Sequence, residues 1–197
     1  DRSIEDPEIF IKSNVLGTQI LLNAAKEFGV EKYIQISTDE VYGTLGKTGF
    51  FTETTPLQPN SPYSASKAGG DLITRAYGET FGLPINITRC SNNYGPYQFP
   101  EKLIPVVISK ALNDEKIPVY GKGENVRDWI HVIDHNIGVD LIVRNGKVGE
   151  VYNLGGHSEK TNLEVVKVIL KQMTGNIVKI RNGRLLKQNF HILCRKI

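Results

Sequence analysis

The chain has 197 residues, enough for one ordinary domain with a sizeable core or one large lobe of a bigger protein, with 40% hydrophobic and 23% charged residues. No apolar run approaches the roughly 18 residues of a membrane-spanning helix, and two cysteines, Cys90 and Cys194, are too few for a disulfide framework. The net charge of +3 and the isoelectric point of about 8.8 hint weakly at an anionic ligand or nucleic acid.

Asp1 is not a start methionine, so the sequence reads as a processed product or a fragment. No basic-then-apolar leader opens it, and its cysteine usage fits a reducing, cytoplasmic compartment.

A first helix is expected over 7–28, with Asp6 as its cap, Pro7 in its first turn and Gly29 as its stop. Between them Ile9, Val15, Leu16, Leu22 and Ala25 recur near helical spacing. Residues 33–37 form a short β-prone run, followed by a Gly/Thr-rich loop over 43–55. Pro59, Asn60 and Pro62 interrupt the chain before a second helix over 63–81, closed by Gly82 and Pro84, and 85–90 is another strand. Helix, strand, helix, strand at these lengths is the pattern of crossover units on a parallel sheet.

The second half alternates less regularly. It reads as a polar and aromatic loop over 92–100, a helix over 102–112, a short strand over 117–120, a helix over 132–143 and an extended stretch over 151–154. Thr161 with Glu164 makes a capping box for a helix running to Thr174, with Gly175 as its stop. The remaining 22 residues, 176–197, hold six basic side chains and no acidic one. This tail therefore carries +6, and the rest of the chain, with 18 basic and 21 acidic residues, carries −3. The basic balance belongs to the tail and does not select a ligand, so nucleic acid and membrane are not expected partners.

Tyr63 and Lys67 lie four apart on the second helix and so share a face. An ammonium beside a phenol favours the phenolate and would bring the tyrosine toward the range of a general base. Ser64, Ala65, Ser66 and Ala68 around Lys67 are small, which leaves room for a flat cofactor. The plainer reading is an exposed Tyr and Lys on an amphipathic helix. Ser37, Thr38, Asp39 and Glu40 stand where the strand over 33–37 ends, and ligands bind at the carboxyl ends of parallel strands. Two adjacent carboxyl groups can serve as acid and base if their surroundings separate their pKa values; the alternative is a capped surface turn. His131 and His135 lack a third ligand for zinc, and Cys90, closing a buried strand, reads as packing.

Three segments, Ser37 to Gly43, Tyr63 to Ala68 and Asn92 to Pro96, together resemble the extended short-chain dehydrogenase/reductase family. The stretches 1–4, 101–105 and 125–129 match as well, and the similarity runs to Gly175. Within that family the Asp39–Glu40 pair points to nucleotide-sugar 4,6-dehydratases, since relatives that only epimerise at carbon 4 typically lack it. The resemblance implies an α/β fold: a partial Rossmann-type parallel sheet with helices, plus a small mixed α/β substrate-binding lobe. It divides the chain into 1–90, an incomplete NAD-binding part; 91–175, mainly the substrate lobe, with 126–144 returning to the first part; and 176–197, a divergent tail.

It also implies a lyase using NAD and dTDP-glucose. Tyr63, assisted by Lys67 and Thr38, would take the proton of the sugar's 4-hydroxyl as carbon 4 is oxidised. Glu40 would remove the proton at carbon 5 and Asp39 would protonate the departing 6-hydroxyl. Ser13, Tyr63, Lys67 and Asn93 are implied at the cofactor. Thr38, Asn92, Lys102, Leu103, Pro118, Tyr120, Arg127 and Asn162 are implied around the nucleotide sugar. Arg127 suits a diphosphate through its guanidinium fork, with an ion pair to Asp128 as the alternative. Tyr120 serves equally well as a strand-end core residue. The helices over 7–28 and 63–81 would form a homodimer interface. A 4-epimerase, a decarboxylase or a non-catalytic remnant are the competing readings.

No Gly-x-Gly-x-x-Gly turn is present, and Gly69–Gly70 lies inside a predicted helix. A sheet lacking that unit is expected to leave an unpaired edge and an uncovered apolar face. The chain alone is then expected neither to bind NAD tightly nor to turn over, and measured tight NAD binding would overturn this.

Overall fold

The computed structural model describes residues 2–46, 48–119, 121–174, 180–181 and 184–185. They form two compact units, one from Asp1–Asn93 and Ile130–Gly155, the other from Tyr94–Trp129 and the residues from Gly156 on. Among the described residues no helix is long and apolar enough to cross a membrane.

The first unit opens with a one-turn helix α1 (Arg2–Glu5), then α2 (Pro7–Ile11), a π-helical turn (Lys12–Leu16) and α3 (Gly17–Phe28). Asp6 caps α2, accepting from the Ile9 amide at 3.4 Å, and Gly29 ends α3 in the left-handed conformation. The single helix expected over 7–28 therefore contains an inserted wide turn, a local feature that hydrophobic spacing does not reveal. Strand β1 (Tyr33–Thr38) leads into a 3₁₀ turn (Asp39–Tyr42), then α4 (Pro62–Phe81) and β2 (Ile85–Cys90). Ser61 and Ser64 cap α4 reciprocally, the Ser64 amide donating to the Ser61 hydroxyl at 3.0 Å.

Strand β3 (Asn92–Tyr94) occupies part of the stretch expected as loop, because its backbone is extended and paired despite its polar side chains. The second unit then holds α5 (Leu103–Leu112) and β4 (Val126–Arg127). After β5 (Trp129–His131) the first unit resumes with α6 (Val132–Asn145) and β6 (Val151–Leu154). The second unit ends with β7 (Lys160–Thr161), α7 (Asn162–Thr174), β8 (Ile180–Arg181) and β9 (Arg184–Leu185). The rest of the basic tail, Tyr120, His191 and Cys194 lie outside the described residues.

The sheet of the first unit has the order β1-β2-β6 and is parallel throughout, so it is a partial Rossmann-type sheet. Its central strand β2 is buried along most of its length, as expected for a strand covered on both faces. Leu22 and Ala25 of α3 pack with Leu83, Ile85 and Ile87, and Ile73, Tyr77, Tyr33 and Val151 close around them. Fully burying a side chain such as Leu22 is worth about 1.5–3 kcal/mol. Three residues beyond Val151, Leu154 faces the other way and packs against Gly138 of α6.

Among the described residues no strand pairs with the outer side of β1. Ile36 on β1 is exposed, as are Ile133, Ile137 and Leu141 of α6.

The second unit buries Val107 of α5, Ile117, and Val166 and Leu170 of α7, with Leu103 and Val119 packed against them. Over its described part, 117–119, the expected strand is not formed; Ile117 and Val119 are held by this apolar packing, with no ladder partner among the described residues. β4 and β7 pair antiparallel, with Arg127 opposite Lys160. Thr161 and Glu164 make the expected capping box: the Glu164 carboxylate accepts from the Thr161 amide at 2.7 Å, and the Glu164 amide donates to the Thr161 hydroxyl at 3.1 Å.

Candidate active site

Thr38 ends β1 at the carboxyl edge of the parallel sheet, opposite Cys90 at the end of β2. Its hydroxyl does two things at once. It accepts from the Glu40 amide at 3.3 Å, starting the 3₁₀ turn, and donates to Asp39 Oδ1 at 3.3 Å. The two adjacent carboxyl groups thus occupy different surroundings: Asp39 is half-buried and Glu40 is exposed. Gly43 closes the turn at φ 87°, where a Cβ would run into the Gln58 carbonyl, so only glycine fits without strain.

Tyr63 and Lys67 stand one turn apart on α4, both half-buried. The Lys67 ammonium donates to the Ile36 carbonyl of β1, which places it against the sheet's carboxyl edge. Burial lowers the Lys67 pKa, and the nearby Asp71 carboxylate pulls it back up. The Tyr63 phenol is pushed up to about 12, first by burial and then by Glu40, Cys90 and Asp39. This corrects the expectation of a depressed tyrosine pKa. Burial and neighbouring negative charge act together on the phenol, while Lys67 is turned toward a backbone carbonyl.

The small residues beside Lys67 also serve a different purpose from the one expected. Ser64 and Ser66 are buried, and the Ser66 hydroxyl accepts from Asn14 Nδ2 of the π turn at 2.9 Å while donating to the Tyr63 carbonyl at 2.7 Å. A Cβ on Gly70 would lie 2.7 Å from the Asn14 carbonyl oxygen. The small Ser66 and Gly70 let α4 approach the π turn closely, Ser64 serves the cap at Ser61, and Ala68 packs with Val41 and Tyr42. Of the four beside Lys67 only Ala65 faces solvent. Ser13 is on that same turn and exposed.

Asn93 donates through Nδ2 to Cys90 Sγ at 3.3 Å and to the Ser91 carbonyl at 3.1 Å. The Cys90 thiol donates to the Ser37 carbonyl at 3.4 Å, and its pKa is raised, chiefly by burial and then by Asp39. It is a packed, protonated neighbour of the site.

The first unit therefore gathers Thr38, Asp39, Glu40, Tyr63 and Lys67 around the ends of β1 and β2, with Asn92 and Asn93 following β2. The second unit holds Lys102, Leu103, Pro118, Arg127 and Asn162. Lys102 is the exposed cap of α5, and Leu103 behind it packs into the core. Pro118 is exposed between two core residues. Asn162 begins α7, its amide donating to the Asn125 carbonyl at 3.1 Å. Arg127 is exposed on β4 and donates from Nη1 to the Val126 carbonyl at 2.9 Å. The Asp128 carboxylate accepts from the Gly156 and Ser158 amides, both at 2.7 Å, fixing that loop. Of the two histidines weighed for zinc, His131 caps α6 by accepting from the Ile133 amide at 3.3 Å, and His135 is buried.

Three residues behind the site were not anticipated. Asp71 on α4 and Arg89 on β2 form an ion pair at 3.0 Å, and they are 1% and 6% exposed. Arg89 Nη1 also donates to the Tyr42 hydroxyl at 3.0 Å, at the end of the acidic turn. The available signal was a charged residue inside an otherwise uncharged strand, and a carboxylate four residues beyond Lys67.

The family described as GDP-mannose 4,6 dehydratase matches residues 1–191. The dTDP-glucose 4,6-dehydratase of Xanthomonas campestris pv. campestris is 56% identical over 178 residues, covering 86% of this chain and 51% of that protein. The dTDP-glucose 4,6-dehydratase of Bacillus anthracis, solved in complex with NAD, superposes with a TM-score of 0.82 at 55% identity, over 88% of this chain and 55% of that one. A UDP-glucuronic acid 4-epimerase from Bacillus cereus, solved with UDP-glucuronic acid and NAD, gives a TM-score of 0.78 at 32% identity, over 84% and 52% of the two chains. The chain spans about half the length of these relatives.

Proposed function

This chain belongs to the GDP-mannose 4,6 dehydratase family, and on that premise we propose that the whole enzyme carrying it dehydrates dTDP-glucose to its 4-keto-6-deoxy derivative, using NAD, while the 197-residue chain by itself is inactive. The observation that carries the reading is the placement of two carboxyl groups in unlike surroundings directly after Thr38, in the same unit as Tyr63 and Lys67. Elimination needs one carboxyl to give a proton and another to take one, and unlike surroundings favour that division.

The donor set suits the nicotinamide-ribose end of NAD. Lys67 spends one N–H on Ile36 and keeps two for vicinal hydroxyls, and Tyr63 stands one helical turn away. NAD held there would supply hydride-transfer chemistry, taking a hydride from carbon 4 and giving it back at carbon 6. Lys67, with Ser13 and Asn93, would hold the cofactor. Tyr63 as phenolate would take the 4-hydroxyl proton, and Thr38 would orient that hydroxyl. The ketone at carbon 4 acidifies the proton at carbon 5, which Glu40 would remove. Asp39 would deliver its proton to the departing 6-hydroxyl, so water leaves. Asn92, Lys102, Leu103, Pro118, Tyr120, Arg127 and Asn162 would hold the nucleotide sugar, with Arg127 on the diphosphate.

Incubating an intact enzyme that carries these residues with NAD and dTDP-glucose and resolving the product by NMR tests this. A 4-keto-6-deoxy sugar is the expected product; a galactose epimer or a pentose overturns the reading.

The same reading includes a homodimer through α2, the π turn, α3 and α4, whose Ile9, Leu16, Ile20 and Leu72 are 54%, 51%, 56% and 58% exposed. Leu72→Asp is expected to shift the sedimenting species from dimer to monomer, whereas an unchanged dimer would remove this face from consideration.

A further inference from the structure

The Asp39–Tyr42 turn carries two carboxyl groups, and its middle is seated by Val41, which is fully buried beside Ala68 and whose carbonyl accepts from the Gln58 amide at 3.0 Å. Its start is held by the Thr38 hydroxyl, and Glu40 itself is exposed. Its end is anchored differently. Tyr42 is 3% exposed, and its hydroxyl lies between two groups that saturate it. It accepts from Arg89 Nη1 at 3.0 Å and donates to Asn153 Oδ1 of β6 at 2.7 Å. The Arg89 guanidinium also lies 4.9 Å from the Tyr42 ring centroid, and the ring stacks on Phe51. Asn153 ties the far side down: its Nδ2 donates to the Phe51 carbonyl at 3.3 Å and its amide to Glu53 Oε1 at 3.0 Å.

Arg89 is held in turn by Asp71 of α4, on the helix that carries Tyr63 and Lys67. A single buried chain of hydrogen bonds therefore runs from the helix of the proton-abstracting pair, through the central strand, to the turn of the acid and base. Breaking any of these bonds strands a buried polar group, which favours the arrangement seen.

We propose that Tyr42, clamped by Arg89 and Asn153, is a positioning residue that fixes Asp39 and Glu40 for the elimination step. The proposal rests on the dehydratase reading. Tyr63 and Lys67 are fixed by α4 itself, so the clamp bears more on elimination than on oxidation at carbon 4.

Tyr42→Phe keeps the ring on Phe51 and Arg89 and removes only the hydroxyl, so it tests the clamp with least disturbance. A displacement of reacting groups by a fraction of an ångström is expected to lower kcat about tenfold to a hundredfold. KM for dTDP-glucose should stay the same. In a single turnover reduced cofactor should form at the wild-type rate and then accumulate, because the following step has slowed. Unchanged kcat, or equal slowing of cofactor reduction and water loss, overturns the proposal.

Amide hydrogen exchange at Glu40 and Val41, followed by NMR on the same variant without substrate, separates this proposal from the function it rests on. Faster exchange at those two amides, with α4 unchanged, supports the clamp whatever product the enzyme makes. Unchanged exchange overturns it even if the dehydratase reading holds.

Discussion

Tyr63→Phe is expected to lower turnover of dTDP-glucose by about 10²–10⁴-fold, the range set by losing a positioned proton acceptor. KM should change little, because the lost oxygen acts on the proton in flight and the ring remains on α4. The structure adds a condition to this expectation. Without cofactor the phenol is held at about 12, by burial first and then by Glu40, Cys90 and Asp39. At neutral pH it is therefore protonated, and a base is available only once positive charge is brought beside it. Glu40→Gln and Asp39→Asn each remove one of the negative charges that hold the proton on. In both variants the Tyr63 pKa should fall, read by NMR of carbon-labelled tyrosine in the absence of NAD. A Tyr63 pKa that ignores both substitutions would mean that these carboxylates are not the electrostatic neighbours the structure makes them.

That cross-talk was not legible in the sequence, whereas the identities of the partners were. The spacing of Tyr63 and Lys67 places them on one helical face, and the structure keeps them there. The sign of the effect on Tyr63 came out reversed because spacing says nothing of depth. A half-buried phenol near two carboxylates responds to desolvation before it responds to a lysine that donates to a backbone carbonyl. Helix boundaries were readable where a capping side chain was recognised: Asp6 and Thr161 with Glu164 cap as their chemistry dictates, while the Ser61–Ser64 box was seen only in the structure. The π turn at Lys12–Leu16 and the ladder at Asn92–Tyr94 were not, since each depends on backbone pairing and not on residue type. The small residues after Tyr63 illustrate a third case. Small size is visible in a sequence, but whether it admits a ligand or a neighbouring helix is decided by what lies across from it, here Asn14.

Arg89→Met should cost about 3–5 kcal/mol of stability at neutral pH, the price of leaving a buried carboxylate without its counter-charge. Asp71 is nearly inaccessible, and burial already raises its pKa above the ordinary 3.8 despite the opposing pull of Ser37, Arg89 and Lys67. The sign of the pH dependence follows. A carboxyl whose folded pKa lies above its unfolded value contributes stability that is complete below the unfolded pKa and is lost as pH rises through the folded one. Removing Arg89 takes away a cation that favours the charged form, so the folded pKa of Asp71 rises further. The deficit of Arg89→Met should therefore shrink as pH is lowered through the acidic range and Asp71 takes up its proton. Adding Asp71→Asn to Arg89→Met replaces the stranded charge by a neutral group of the same shape. The double variant should regain most of the loss at neutral pH and lose the pH dependence, measured by urea denaturation across that range. A double variant no more stable than Arg89→Met would place the cost in the lost contacts of Arg89 with Tyr42 and not in the uncompensated carboxylate. The two sources are separable because only the charge titrates.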